Sequence, residues 1–286
     1  MADEFPHVDG VEHRFVTANG IRLHVAEAGA GNPVVLLHGW PQHWWEWRHL
    51  IPPLAERFRV ICPDLRGLGW SEAAPSGYEK ENLADDILGL FDRLGVDSVR
   101  LVGHDWGGWI GFLICLREPE RVSRYLALNI VPPFVPITIR SVLSTWRFWY
   151  QWVIASPLGG WVVPRAGAIG ATVPNWLGAG CWSDEEREVF LARLREPERA
   201  RASVLYYRTF QREIWGVISG RYRHETLRTP TRILFGTGDR VLSAPSLEGS
   251  ERWADDIEIE LVPGSGHFIA DERPQLVIER ALSFFG

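Results

Sequence analysis

The sequence predicts an α/β chain: a mostly parallel β-sheet with helices on both faces, interrupted by one long helical insertion. Three observations lead there. Short β-branched runs such as PVVLLHG and FRVICPD end in Gly or Pro-Asp, the form of buried parallel strands. Segments of helical length separate them, as crossover connections require. The strand rhythm stops at about Pro133 and resumes only after Thr231.

Taken in order, HRFVTANGIRLHVAEAG reads as two strands around the turn Asn19-Gly20, a strong hairpin signal. After the strand PVVLLHG, the segment HWWEWRHLIPPLAERF has helical length, and Pro52 and Pro53 are expected to bend or interrupt it. The strand FRVICPD follows. ENLADDILGLFDRLG then sets Leu83, Ile87, Leu90, Phe91 and Leu94 at helical spacing and stops at Gly95. SVRLVGH is a strand, WGGWIGFLICL opens a helix, and RYLALNIV is the next strand. The stretch 133–228, rich in Trp and Tyr, shows no strand pattern and reads as a helical cap. Its charged segment SDEEREVFLARLREPERARASVLYYRTF is most simply a solvated helix face. Strand RILFGTGD, a helix through LEGSERWA, strand IEIELVPGSG and helix RPQLVIERALSFF complete the chain. The expected organisation is therefore a core in two parts, 1–132 and 229–286, with the cap at 133–228.

The chain has 286 residues, 46% hydrophobic and 23% charged, which suits a globular protein with a large core. A net charge of −6 without a basic stretch argues against nucleic acid or an anionic membrane surface as the main partner. A small uncharged ligand is the expectation. MADEFPHVDG lacks the basic segment and apolar core of a signal peptide, and no apolar run is long enough to span a bilayer. A cytoplasmic protein is expected. Cys62, Cys115 and Cys181 form neither a disulfide framework nor a metal-ligand spacing, and all three read as small buried residues.

VRLVGHDWGGWIGFLICL raises a chemical question, because it sets a carboxylate in a knot of glycines between an apolar strand and an apolar helix. Gly103-His104-Asp105-Trp106-Gly107-Gly108 has the form of a nucleophile elbow with Asp in place of Ser. Such a turn lifts one side chain above the carboxyl edge of the sheet, and glycines let the neighbouring backbone pass close by. A bland reading also exists, in which Asp105 is a helix N-cap. The chain order nucleophile, acid, histidine favours the functional one, since Asp239 ends the strand in LFGTGDRV and His267 ends the next in LVPGSGHF. His7, His13, His43, His49 and His224 read as exposed, and His24, His38 and His104 as structural. No pair has the surroundings of a metal site. The backbone N–H groups of Trp106, after the nucleophile, and of Trp40, in LLHGWP, occupy the places of oxyanion donors.

On these residues the chain resembles the α/β-hydrolase superfamily over nearly its whole length, and within it the epoxide hydrolases. HGWPQHWWEWR is similar to their His-Gly-x-Pro loop, CPDLRGLGWS to the loop after the next strand, and GHDWGG to the Asp-bearing elbow. The resemblance implies the α/β-hydrolase fold, with eight strands and an inserted cap. It also implies two cap tyrosines that hold the epoxide oxygen, and WYQWVIASPLGG and LYYRTF assign these roles to Tyr150 and to Tyr207 rather than Tyr206. Asp105 would form an alkyl ester with an epoxide carbon, and water activated by His267, itself oriented by Asp239, would hydrolyse it. No cofactor or metal is implied. The partners are a small hydrophobic epoxide and water, and a homodimer is compatible with this reading.

Alternatives stand beside it. Haloalkane dehalogenases share the fold, the Asp elbow and often the Trp after it. Fluoroacetate dehalogenases resemble the chain in YQW but place Arg where it has Trp106. A Ser-type esterase is disfavoured by the elbow, and the family's other position for the acid holds Asn129, which leaves Asp239. A ligand receptor on the same fold could keep Asp105 and His267 without turnover. RGLGWS lacks the third Gly of a dinucleotide-binding turn. Trp146, Trp149, Trp152, Trp161, Trp176 and Trp182 in the cap predict an apolar pocket.

Overall fold

The computed structural model describes residues 4–136, 145–165 and 179–286. Eight strands form one sheet: β1 (Glu12–Ala18), β2 (Ile21–Ala28), β3 (Pro33–Leu37), β4 (Arg59–Pro63), β5 (Val99–His104), β6 (Val122–Leu128), β7 (Thr231–Gly236) and β8 (Ile257–Val262), in the order β1-β2-β4-β3-β5-β6-β7-β8. β2 runs antiparallel to both its neighbours and every other pair is parallel. Asn19 (φ 46°) and Gly20 (φ 71°) turn the β1–β2 hairpin, both left-handed as a two-residue turn between twisted strands requires.

Alternate residues of the central strands feed two cores. Leu101, Tyr125 and Ile233 face one side with α2 (Lys80–Leu94) and α3 (Asp105–Arg117), while Val102, Leu126 and Leu234 face the other with α1 (Ile51–Ala55) and, at the chain's end, Pro274–Phe285. α3 is apolar on every face, with Trp106 through Leu116 all buried, because sheet, α2 and insertion surround it. Between β6 and β7 the described elements are helical: α4 (Trp149–Ala155), α5 (Gly159–Val162), α6 (Asp184–Ala192) and α7 (Pro197–Ile218), with short 3₁₀ turns. After β8 come α8 (Ile269–Glu272) and α9 (Pro274–Phe285). No helix among the described residues is long and apolar enough to cross a membrane.

Several local expectations need correction. HWWEWRHLIPPLAERF is interrupted as expected, but ahead of the prolines: the 3₁₀ turn Trp44–His49 ends before Leu50, and Pro52 and Pro53 sit in the first turn of α1, where a missing N–H costs nothing. LEGSERWA is not one helix: Leu247 ends the 3₁₀ turn Ala244–Leu247, and after Gly249 a second 3₁₀ turn covers only Ser250–Trp253. The charge run is only partly solvated. Arg193 and Arg199 are buried and donate to the carbonyls of Gly69 (3.2 Å) and Ser71 (2.8 Å), which docks the insertion on the loop after β4. His43 is buried, because Phe190 of α6 and Trp70 close over its ring and its Nε2 meets the Val189 carbonyl at 3.2 Å. Burial pushes its pKa down to about 4. His13 is half-buried, stacked on Phe5. Cys62 and Cys115 are buried but Cys181 is exposed, since its turn lies at the insertion's surface.

Candidate active site

The site is built on the carboxyl edge of the sheet, where β3, β5, β7 and β8 end. Asp105 follows β5 at φ 48°, a left-handed conformation costly for a residue with a Cβ. The turn is held by close backbone approach: a Cβ on Gly107 would stand 2.1 Å from the Leu37 carbonyl, and the Gly107 N–H donates to the His38 carbonyl at 3.1 Å. Asp105 is thus a strained elbow residue rather than an N-cap; the N-cap position belongs to His104.

The Trp40 backbone N–H donates to Asp105 Oδ2 at 2.9 Å, which leaves Oδ1 facing His267, whose Nε2 stands 3.9 Å away. The Trp106 N–H belongs to the first turn of α3, where a helix leaves its donors without internal acceptors. On the far side of the imidazole, His267 Nδ1 lies 2.8 Å from Asp239 Oδ2. Burial alone would raise the Asp239 pKa, but His267, the Asn129 side chain and the Val241 N–H outweigh it and hold this carboxyl below the usual range.

The position passed over as the alternative acid has its own geometry. Asn129 (φ 43°) donates to Asp239 Oδ2 at 2.8 Å and to the Gly266 carbonyl at 3.0 Å, while its Oδ1 accepts from the Gly236 N–H at 3.1 Å. It ties β6, β7 and the His267 turn together. Beneath the site a second buried pair was missed by sequence reading. Glu46 lies 2.8 Å from His104 Nδ1 and accepts from the Gly39 N–H at 3.1 Å, and His104 Nε2 donates to the His267 carbonyl at 2.8 Å. Burial works against a charged His104, yet Glu46 and then Asp105 outweigh it and push its pKa up to about 9. Nothing local in HWWEWR marks Glu46 as more than a polar helix residue.

Tyr150 on α4 and Tyr207 on α7 are buried above Asp105. Their rings lie 6.0 Å apart, and Trp40 meets both, 6.5 Å from Tyr150 and 5.5 Å from Tyr207. Burial, with the Asp105 charge as a further cause, pushes both phenols well above their ordinary pKa, so each keeps its O–H near neutral pH. Tyr206 points away, and its hydroxyl donates to the Arg66 carbonyl at 3.0 Å. A cavity of about 810 Å³ opens beside Asp105, lined by Trp109, Trp149, Phe210, Ile214 and Leu242 among others. Asp105 is the only charged side chain among the described residues lining it. Trp146 and Trp152 also line it, whereas Trp182 is buried against Phe190 and Phe268, Trp161 is exposed, and Trp176 lies outside the described residues.

Residues 32–274 match the family model of the alpha/beta hydrolase fold. The chain is 32% identical to the soluble epoxide hydrolase of Corynebacterium sp. (strain C12), covering 96% of this chain and 97% of that one. Among solved structures it is similar to an epoxide hydrolase from Vigna radiata, with a TM-score of 0.83, 27% identity and coverage of 98% and 99% of the two chains. It is also similar to a putative acyltransferase from Salmonella enterica, with a TM-score of 0.86, 28% identity and coverage of 99% and 97%. With an eight-stranded, mostly parallel sheet, an Asp elbow on its fifth strand and these relatives along nearly all its length, the chain belongs to the α/β-hydrolase superfamily and, within it, to the epoxide hydrolases.

Proposed function

We propose that the protein hydrolyses a neutral, hydrophobic epoxide to a vicinal diol through an ester on Asp105. The observation that carries the reading is the division of the Asp105 carboxylate: Oδ2 is held by the Trp40 N–H, while Oδ1 faces the His267–Asp239 pair, in a residue that borders the aromatic cavity.

In the first step Asp105 Oδ1 attacks a ring carbon, the carbon–oxygen bond of the ring breaks, and the ring oxygen takes a proton from Tyr150 or Tyr207. Near neutral pH an alkoxide leaves poorly, so O–H donors at the site lower this barrier. In the second step His267 Nε2 takes a proton from water, and the oxygen adds to Asp105 Cγ. The Trp40 and Trp106 N–H groups hold the resulting oxyanion. Asp239 fixes the His267 tautomer and stabilises its cation. Collapse breaks the bond between Asp105 Cγ and the ester oxygen, the proton of the added hydroxyl passes to that leaving oxygen to release the diol and restore the carboxylate, and the proton on His267 returns to the tyrosinate. A Ser nucleophile could not follow this course, because only a carboxylate offers water a carbonyl carbon belonging to the enzyme.

Residues 133–228 act as the cap in this reading, which is compatible with a homodimer. The aromatic cavity suits apolar substrates. The test is the intact mass of His267→Gln after incubation with a panel of epoxides and haloalkanes. A gain equal to a whole epoxide, absent when Asp105→Ala is added, is expected. A gain of an alkyl group without its halogen would make the protein a dehalogenase, and no adduct from any member would favour a receptor.

A further inference from the structure

Lys80, the first residue of α2, is only 1% exposed, and the two steps above give it no task. Its Nζ donates to the Tyr206 carbonyl at 2.8 Å and to the Tyr78 carbonyl at 3.2 Å, and stands 4.4 Å from the centre of the Trp106 ring. An ammonium has three N–H groups and no acceptor. Two carbonyls and the aromatic faces of Trp106, Tyr206 (4.9 Å) and Phe210 (5.9 Å) surround it, replacing the water that burial removed.

The partners matter more than the burial. Tyr206 directly precedes Tyr207, and Trp106 directly follows Asp105. Lys80 therefore joins the turn of α7 that carries Tyr207 to the residue beside the nucleophile. Two further bonds fasten the same turn: the Thr209 hydroxyl donates to the Tyr78 carbonyl at 2.8 Å, and the Tyr206 hydroxyl to the Arg66 carbonyl at 3.0 Å. Tyr207 then rests edge-on against Trp106, with ring centres 5.6 Å apart.

We propose that Lys80 is a positioning residue for ring opening: its ammonium clamps the Tyr206–Tyr207 segment of the insertion against Trp106 and so sets where the Tyr207 hydroxyl stands relative to Asp105. The proposal rests on the epoxide reading given above. Its effect falls on the first step, in which the Tyr207 hydroxyl meets the ring oxygen: addition of water and breakdown of the ester use His267, Asp239 and the backbone N–H groups of Trp40 and Trp106, and Lys80 meets Trp106 at its ring. The groups facing the ammonium are Glu213 of α7, Asp105 of α3, and Glu79 and Glu81 beside it on its own element. Burial lowers the Lys80 pKa to about 7 against these four acids, so the clamp loosens as pH rises through neutrality.

The two half-reactions can be read separately. Ester formation is followed by intact mass in the His267→Gln background with styrene oxide as probe, and ester breakdown by single turnover of Lys80→Met with His267 intact. Lys80→Met is expected to slow ester formation by about 10- to 100-fold, the scale of a small misplacement of a reacting group. Breakdown should stay within about twofold of the unsubstituted enzyme, a split that general loss of packing would not produce. Equal slowing of both steps, or ester formation within twofold of His267→Gln alone, overturns the proposal. Should Lys80→Met fail to fold, His267→Gln with Lys80 in place serves instead: its rate of ester formation should fall between pH 6.5 and 8.5, and a flat profile overturns the proposal. No adduct from styrene oxide or any other epoxide in His267→Gln overturns the epoxide reading itself, with Lys80 untouched.

Discussion

Asp105 occupies a left-handed backbone position and shares its carboxylate between one N–H donor and the His267 imidazole. The phenols above it are the residues whose loss should bear on one bond only. Replacing Tyr150 or Tyr207 singly by Phe should lower kcat/KM for an epoxide by about tenfold, and replacing both by about 10³-fold, the range of general acid catalysis. Steady-state kinetics checks this, and activity that survives the double change would remove both tyrosines from the mechanism. Asp105, Asp239 and His267 are legible in the sequence because each follows a strand in a glycine-bearing turn, where local residue types announce a functional edge. Asn129, Glu46 and Lys80 are not. Their partners (Asp239, His104, Tyr206) lie far along the chain, and only the closed sheet or the docked insertion brings them into contact.

Among elements, strands and long helices follow from hydrophobic period, and short turns do not. ENLADDILGLFDRLG carries an apolar stripe long enough to specify α2, whereas LEGSERWA has helical composition but a Gly at φ 82° that divides it. The contact between insertion and core was equally hidden, since it rests on charged residues that a sequence assigns to solvent. Arg48, within the 3₁₀ turn Trp44–His49 that follows β3, donates to Asp271 of α8 and to Glu186 of α6, each at 2.6 Å, and Trp182 Nε1 donates to the same Asp271 at 2.7 Å. Breaking a buried pair leaves a charge uncompensated and costs about 3–5 kcal/mol. Arg48→Met should therefore lower the urea midpoint by the equivalent of about 3 kcal/mol and expose 179–196 to limited proteolysis. An unchanged midpoint would show that apolar packing alone docks α6.

Across the whole molecule, the Glu46–His104 pair links the β3 loop, the elbow and the His267 turn, and it makes stability depend on alkaline pH. The folded pKa of His104, about 9, lies above the 6.5 of a free imidazole, so the pair's contribution is fully present below pH 6.5 and is lost as pH rises through 9. Its size is about 3 kcal/mol at most. Lys80, with its folded pKa lowered to about 7, contributes the opposite slope above neutrality, so the test is a difference: the Tm gap between the protein and Glu46→Gln, which removes the group that keeps His104 charged, should narrow as pH rises from 7 to 9.5. A gap that stays constant would show that the pair does not titrate in this range.

The site is assembled from two sources, with Asp105, Asp239 and His267 leaving one edge of the sheet and Tyr150 and Tyr207 carried on helices of the insertion. In the mechanism proposed above, the atoms that make and cleave the ester are thus inherited with the sheet, and those that receive the departing oxygen are inherited with the insertion. A lineage can exchange the second set, and the cavity shape that comes with it, without reinventing the first.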